Sequence, residues 1–214
     1  MNFRKLFEPD KERYGVTRIE ALSDGVFSIT MTLLILGINV PPLSPDDSTT
    51  IHKLLQLGPL FENYFISFIV LGLFWIRHQM QFKDIRMADR NLMWINIFFL
   101  MFVAIVPFTT SMMVEYSNNH ISIQVYCVNL IILGLLLIAH WEYAVAKHRL
   151  IDKNLNIKDL KFISKAQFLT PALFLVPAII AFFDINIAKV CLYTLPLVSS
   201  LAFKTYKKVR KQRE

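Results

Sequence analysis

The first long apolar run of this chain is interrupted by groups that hydrocarbon does not tolerate. It reads Arg18-Ile-Glu20-Ala-Leu22-Ser23-Asp24-Gly-Val-Phe-Ser28-Ile29-Thr-Met-Thr32-Leu33-Leu-Ile-Leu36, with charges at one end and hydroxyls beyond them. A charged side chain at the centre of a membrane helix costs roughly 2.5–3.5 kcal/mol on insertion scales. Arg18, Glu20 and Asp24 therefore mark a required partner or a function. Wound as an α-helix, the run separates into two stripes. Ile29, Thr32, Leu33 and Leu36 fall within an arc of about 100°, the width of one helix face, and Arg18, Leu22 and Gly25 extend it toward the charged end. Glu20, Asp24 and Ser28 occupy a different face.

The polar stripe needs a neighbour, because Asp24 must face protein or water. Arg18 lies about 9 Å down the axis and about 120° round it, so a direct contact within one helix is strained. A group from another span bridges the two more naturally. His78, in Phe74-Trp75-Ile76-Arg77-His78, is the best-placed candidate. A carboxylate–imidazole–guanidinium network of this kind ordinarily ties helices together, but the same groups can move protons or ions. For Ile29, Leu33 and Leu36 the ordinary role is helix packing.

Other reactive residues form no second constellation. His52, His120, His140 and His148 are scattered at loops and span ends, with no metal-ligand spacing. His140 and Glu142 are two apart and do not share a helix face. Cys127 and Cys191 fall inside apolar runs, where a buried free thiol is expected. There is no glycine-rich phosphate loop and no Gly-x-Ser-x-Gly elbow, so no enzyme and no cofactor is expected. Trp75, Trp94 and Trp141 are placed in a headgroup belt, and Met112 and Met113 in packing.

The elements that hold these residues are membrane spans. Of the 214 residues, 55% are hydrophobic and 18% charged, against about 25% charged in a soluble domain. The apolar residues are blocked into six runs: about Val16–Val40, ending at Pro41-Pro42; Phe61–Gln81; Asn91–Tyr116; Ile121–Lys147; Phe162–Phe183; and Asn186–Phe203. Each has roughly the 20 residues needed to cross ~30 Å of hydrocarbon. A polar loop, Leu43–His52, and an amphipathic approach, Lys53–Leu60, precede span 2; Asp184-Ile185-Asn186 turns spans 5 and 6 into a tight hairpin. The fold class is all-α: a polytopic membrane protein with a single six-helix domain over residues 1–214. Residues 1–16 are polar and charged, so no cleavable signal peptide is expected.

Charge fixes the expected orientation. The N-terminal segment, the 2–3 and 4–5 loop regions and the tail together hold 21 of the 23 Lys and Arg residues, leaving Lys53 and Lys189 on the other side. The positive-inside rule places both termini in the cytoplasm. The net charge of +7 thus belongs to the membrane surface, and no nucleic-acid partner is expected. The tail Lys204–Glu214 anchors to headgroups in the same way.

Arg18-x-x-x-Leu22-Ser23-Asp24 is similar to the Arg-x-x-x-Phe-Ser-Asp signature in the first helix of the transmembrane protein 175 family of potassium channels, with Leu22 replacing Phe. The continuation Gly25 to Leu34, Phe74 to His78, Asn91-Leu92, Pro107-Phe108 and His140-Trp141-Glu142-Tyr143 also resemble that family. The resemblance implies a homotetramer in the cell membrane, with helix 1 of each subunit lining a central pore. It implies apolar constriction rings at Ile29, Leu33 and Leu36, a hydroxyl layer at Thr32, and a structural network of Arg18, Ser23, Asp24 and His78. It implies potassium ions, further copies of the chain and the bilayer as partners. The sequence contains no carbonyl filter of the Thr-Val-Gly-Tyr-Gly type. The rival readings are a proton-conducting channel or a secondary cation transporter using Asp24 and His78. The transporter reading lacks the internal repeats that such proteins usually carry.

Overall fold

The computed structural model describes residues 12–40, 42, 47–146, 150–152, 155 and 157–196. Among these, the elements in chain order are β1 (Tyr14–Gly15), α1 (Thr17–Leu33) with a 3-10 extension (Leu34–Gly37), α2 (Asp47–Leu55), α3 (Gly58–Asp84), β2 (Met87–Ala88), α4 (Arg90–Glu115), α5 (His120–Val145), α6 (Ile157–Gln167) and α7 (Leu169–Ile180). A further helix, α8, covers 185–196. Five helical stretches among the described residues are long and apolar enough to cross a membrane: Thr17–Gly37, Thr50–Asp84, Arg90–Glu115, His120–Val145 and Leu160–Ile180. Helix α8 begins where span 6 is expected; residues 197–203 of that span, and the basic tail, lie outside the described residues.

Local chemistry sets the ends of these helices. Asp89 caps α4 by accepting from the Leu92 amide at 3.0 Å, and Asn119 caps α5 by accepting from the Ile121 amide at 3.0 Å. Both satisfy amides that the first helical turn leaves unpaired. Asp184 accepts from the Asn186 and Ile187 amides at 2.8 and 3.1 Å, closing the expected hairpin between α7 and α8.

Several boundaries differ from the sequence reading: the helical part of span 1 ends at Gly37 rather than Val40, and α3 ends at Asp84 rather than Gln81. Helix α3 starts at Gly58 rather than Phe61, because Pro59 suits a first-turn position where no amide partner is needed. Six of the ten residues of the expected polar loop before it, from Asp47 on, are helical in α2. Span 5 is two helices rather than one, with a break at Phe168. Pro171 has no amide to offer the Gln167 carbonyl one turn earlier, which removes the bond that would carry the helix through.

The bundle is built around α4 and α5. Helix α1 packs against α3 and α4, while α5 packs against α4 and α7, which leaves α1 at one margin. A central apolar cluster includes Phe27, Leu71, Phe74, Phe99, Val103, Leu130 and Phe174. A second cluster, around Ile19, Phe82, Ile85, Leu92 and Trp141, closes one end. At that end the chain is stitched across its loops. Tyr14 and Gly15 pair antiparallel with Ala88 and Met87, and Ile85 bridges to Ile151. The Arg86 amide donates to the Leu150 carbonyl at 2.8 Å. Three of the four segments carrying the basic residues thus share one end, as the charge pattern requires. Lys189 donates to the Ser117 carbonyl at 2.8 Å, joining the turn after α4 to α8.

Candidate functional site

Among the described residues, helix α1 has one face held by protein and one face left bare. The inward stripe is Ile19, Ser23, Phe27, Thr30 and Leu34, all buried. The outward stripe contains Leu22, Ile29, Thr32, Leu33 and Leu36, with Ile29 61% and Leu36 70% exposed. The two sets follow helical spacing and lie on different sides of the same cylinder. The Thr32 hydroxyl donates to the Ile29 carbonyl at 2.8 Å. With its proton engaged on the helix, the Thr32 oxygen presents lone pairs outward, which is what a cation requires of an oxygen ligand.

The inward face is pinned by a buried polar chain. His78 on α3 lies 2.8 Å from Asn96 Oδ1 on α4. Asn96 Nδ2 donates to Ser23 Oγ on α1 at 3.2 Å, and Ser23 Oγ donates to the Ile19 carbonyl at 2.8 Å. The direction of each bond follows from the next. Asn96 donates through its nitrogen, so its oxygen accepts, and His78 Nε2 therefore carries the proton. Three helices meet in this chain, and Ser23, His78 and Asn96 are all buried. The His78 ring stacks on Phe99 at 5.3 Å with an interplanar angle of 2°, and Phe27 packs on Phe99 at 5.9 Å.

Asp24 is held separately. Its Oδ1 accepts from Trp75 Nε1 at 2.8 Å and from Gln79 Nε2. Trp75 and Gln79 are four residues apart and so share one face of α3, gripping the carboxylate between them. The continuous Arg18–Asp24–His78 network expected from the sequence is therefore replaced by two contacts. Consecutive residues of a helix point about 100° apart, so Ser23 turns into the α3/α4 junction and Asp24 to the flank of α3. His78 sits in the junction with Ser23. Arg18 is exposed at the end of α1, outside both contacts.

Several residues of this anchor carried no sequence signal of their role. Asn96 is one polar residue in an apolar run, and Gln79 looks like a surface residue near a span end. Trp75 is half-exposed, yet its indole serves Asp24 as well as the expected interface. Trp141 corrects the belt expectation: it is 1% exposed and donates to Ser164 Oγ at 3.2 Å. His140 is likewise buried, with Nδ1 2.8 Å from Gln81 Oε1. Gln81 in turn donates to the Leu137 carbonyl and to Gln167, each at 2.9 Å. Cys127 is buried and both cysteines are free. Among the described residues no group of three or more His, Cys, Asp or Glu side chains is arranged to hold a metal ion.

A multi-pass bundle whose first span is anchored on one face and bare on the other defines a class of helical membrane protein. The family profile described as endosomal/lysosomal potassium channel TMEM175 matches residues 18–107, from the start of α1 into α4. A potassium channel of Streptomyces collinus is 36% identical over 143 residues, covering 65% of this chain and 69% of that one. The human endosomal/lysosomal proton channel TMEM175 is 33% identical over 141 residues, which cover 60% of this chain and 28% of that longer protein. The crystal structure of a lysosomal potassium-selective channel TMEM175 homolog from Chamaesiphon minutus superposes with a TM-score of 0.76 at 26% identity, covering 86% of this chain and 95% of that one. This chain belongs to the TMEM175 family.

Proposed function

We propose that this protein is a potassium-permeable ion channel of the cell membrane. In this reading the whole chain is one six-helix transmembrane domain with both termini in the cytoplasm. Four copies assemble around a central pore lined by α1. The observation that carries the reading is the bare stripe of Ile29, Thr32, Leu33 and Leu36 on a helix whose opposite face is pinned to α3 and α4. A pore-lining helix needs that division. One face must be rigidly held, and the other must be free to meet its symmetry mates and the permeating ion. The family relatives that are named potassium channels support the same reading.

The mechanism follows from the side chains. Four Ile29 residues form the first apolar ring, and Leu33 and Leu36 form further rings. Such a constriction offers no ligands, so an ion crosses it at the cost of its hydration shell, and the pore can close by dewetting. Potassium sheds water more readily than sodium, and this difference favours it. The Thr32 lone pairs supply a ring of oxygens between the apolar layers. Ser23, Asp24 and His78 have a positioning role: they fix the rotation of α1 about its axis, and Arg18 lies at its cytoplasmic end. The reading assigns no enzymatic activity and no cofactor.

Reconstitution into liposomes tests the function. Passive flux should run down a potassium gradient, and the reversal potential in mixed salts should follow potassium rather than sodium. A reversal potential that follows the pH gradient instead would replace this reading with proton conduction, the activity named for the vertebrate relatives. The absence of passive current under any gradient would sink the channel reading.

A further inference from the structure

A shallow, open crevice lies between α3, α7 and α8, away from α1. Its walls are apolar, formed by Val70, Leu73 and Phe74 from α3, Leu173 and Phe174 from α7, and the end of α8. Two polar groups break this lining, Arg77 and Thr170. Arg77 is half-buried and has no carboxylate partner among the described residues. Thr170 is 7% exposed, and its hydroxyl has no hydrogen-bond partner among the described residues. An arginine within a span is costly unless something neutralises it, and a buried hydroxyl without a partner loses free energy relative to water. Both demands are met by an anionic oxygen ligand.

The position of the two groups says which ligand. Thr170 is at the start of α7. Arg77 lies seven residues before the end of α3. Both are near the end where the basic segments are stitched together. The apolar lining runs from them toward the bilayer centre: Val70 is seven residues, about 10 Å, further along α3. The crevice thus has a cationic mouth at headgroup depth and an apolar interior at acyl-chain depth. A guanidinium matches a phosphate through paired donors. We infer that this crevice binds an anionic phospholipid of the cytoplasmic leaflet, with its phosphate on Arg77 and the Thr170 hydroxyl and one acyl chain against the half-buried Leu73 and Leu173.

The test is native mass spectrometry of the full chain released from detergent with phosphatidylglycerol, phosphatidylcholine or oleate of matched chain length. Phosphatidylglycerol should be retained about tenfold better than phosphatidylcholine, the scale of one charge-assisted contact. Arg77→Gln should bring the two lipids level, and Arg77→Lys should keep most of the preference. Leu173→Trp, which fills the crevice, should lower retention of phosphatidylglycerol whether or not Arg77→Gln folds. Equal retention of the two phospholipids by the unmodified protein would overturn the site. So would a preference that survives Arg77→Gln, or Leu173→Trp without effect. Oleate held in place of phosphatidylglycerol would overturn the phospholipid assignment. None of these readouts depends on ion conduction, so the lipid site and the channel reading fail independently.

Discussion

Asn96 is the joint of the bundle, and replacing it by leucine is the sharpest test of how α1 is held. The change keeps the volume roughly constant and removes both bonds of the linking residue, 2.8 Å to His78 and 3.2 Å to Ser23. It strands a histidine N–H on α3 in a junction from which water is excluded. Interhelical hydrogen bonds inside membrane proteins are worth about 0.6 kcal/mol on average and up to about 1.7 kcal/mol each. Two of them give an expected loss of about 1–3 kcal/mol. Reversible unfolding in mixed detergent micelles, followed by circular dichroism, reads this directly. A cycle with His78→Phe, which keeps a ring against Phe99, separates the bond from the packing. If the chain acts as a unit, the double variant should lose less than the sum of the single losses, by about 1 kcal/mol. Additive losses, or a loss below about 0.5 kcal/mol for Asn96→Leu, would refute the claim that this chain fixes α1.

Three further outcomes follow from other contacts. Asp24→Ala leaves the Trp75 indole and the Gln79 amide without their shared acceptor; size-exclusion chromatography should show reduced yield and assembly, with Asp24→Asn retaining more of both. Gly134→Ala places a Cβ 3.1–3.3 Å from the ring and backbone nitrogen of Pro171; separation of α5 from α7 should cost about 1–3 kcal/mol, the range for overpacking, seen as a lower melting temperature. Arg86→Ala breaks an ion pair to Asp152 of 3.5 Å whose arginine is 64% exposed; as for exposed pairs generally, the loss should stay under about 1 kcal/mol, within the scatter of a melting curve.

The first five spans and the gathering of the basic loop segments at one end were legible because both rest on sums along the chain. Apolar runs of bilayer length separated by charge need no tertiary knowledge, and the loop segments carrying Arg86, Arg90 and Lys165 do meet at one end of the bundle. The two stripes of α1 were legible for a related reason: helical periodicity places Ile29, Leu33 and Leu36 together whatever surrounds them. The partner of each polar residue was not legible, since it depends on how α3 and α4 rotate against α1. Asp24 and Ser23 are adjacent in sequence but reach different groups. The choice between Trp75, Gln79 and His78 is made by helix packing alone. The break at Phe168 lay in reach, because Pro171 announces a lost hydrogen bond. A run that stays apolar on both sides of it reads as one span by hydropathy.

In the proposed pore, Ile29 meets the permeating ion. Replacing it by cysteine in a Cys191→Ser background leaves only the buried Cys127 as a second thiol. Potassium current through the reconstituted Ile29→Cys channel should then be blocked by a small cationic thiol reagent, with modification of residue 29 verified by mass spectrometry. Cysteine at Phe27, which is 1% exposed on the opposite face, should leave the current unaffected by the reagent. A verified modification at residue 29 that leaves the potassium current unchanged would place the pore elsewhere and contradict the account.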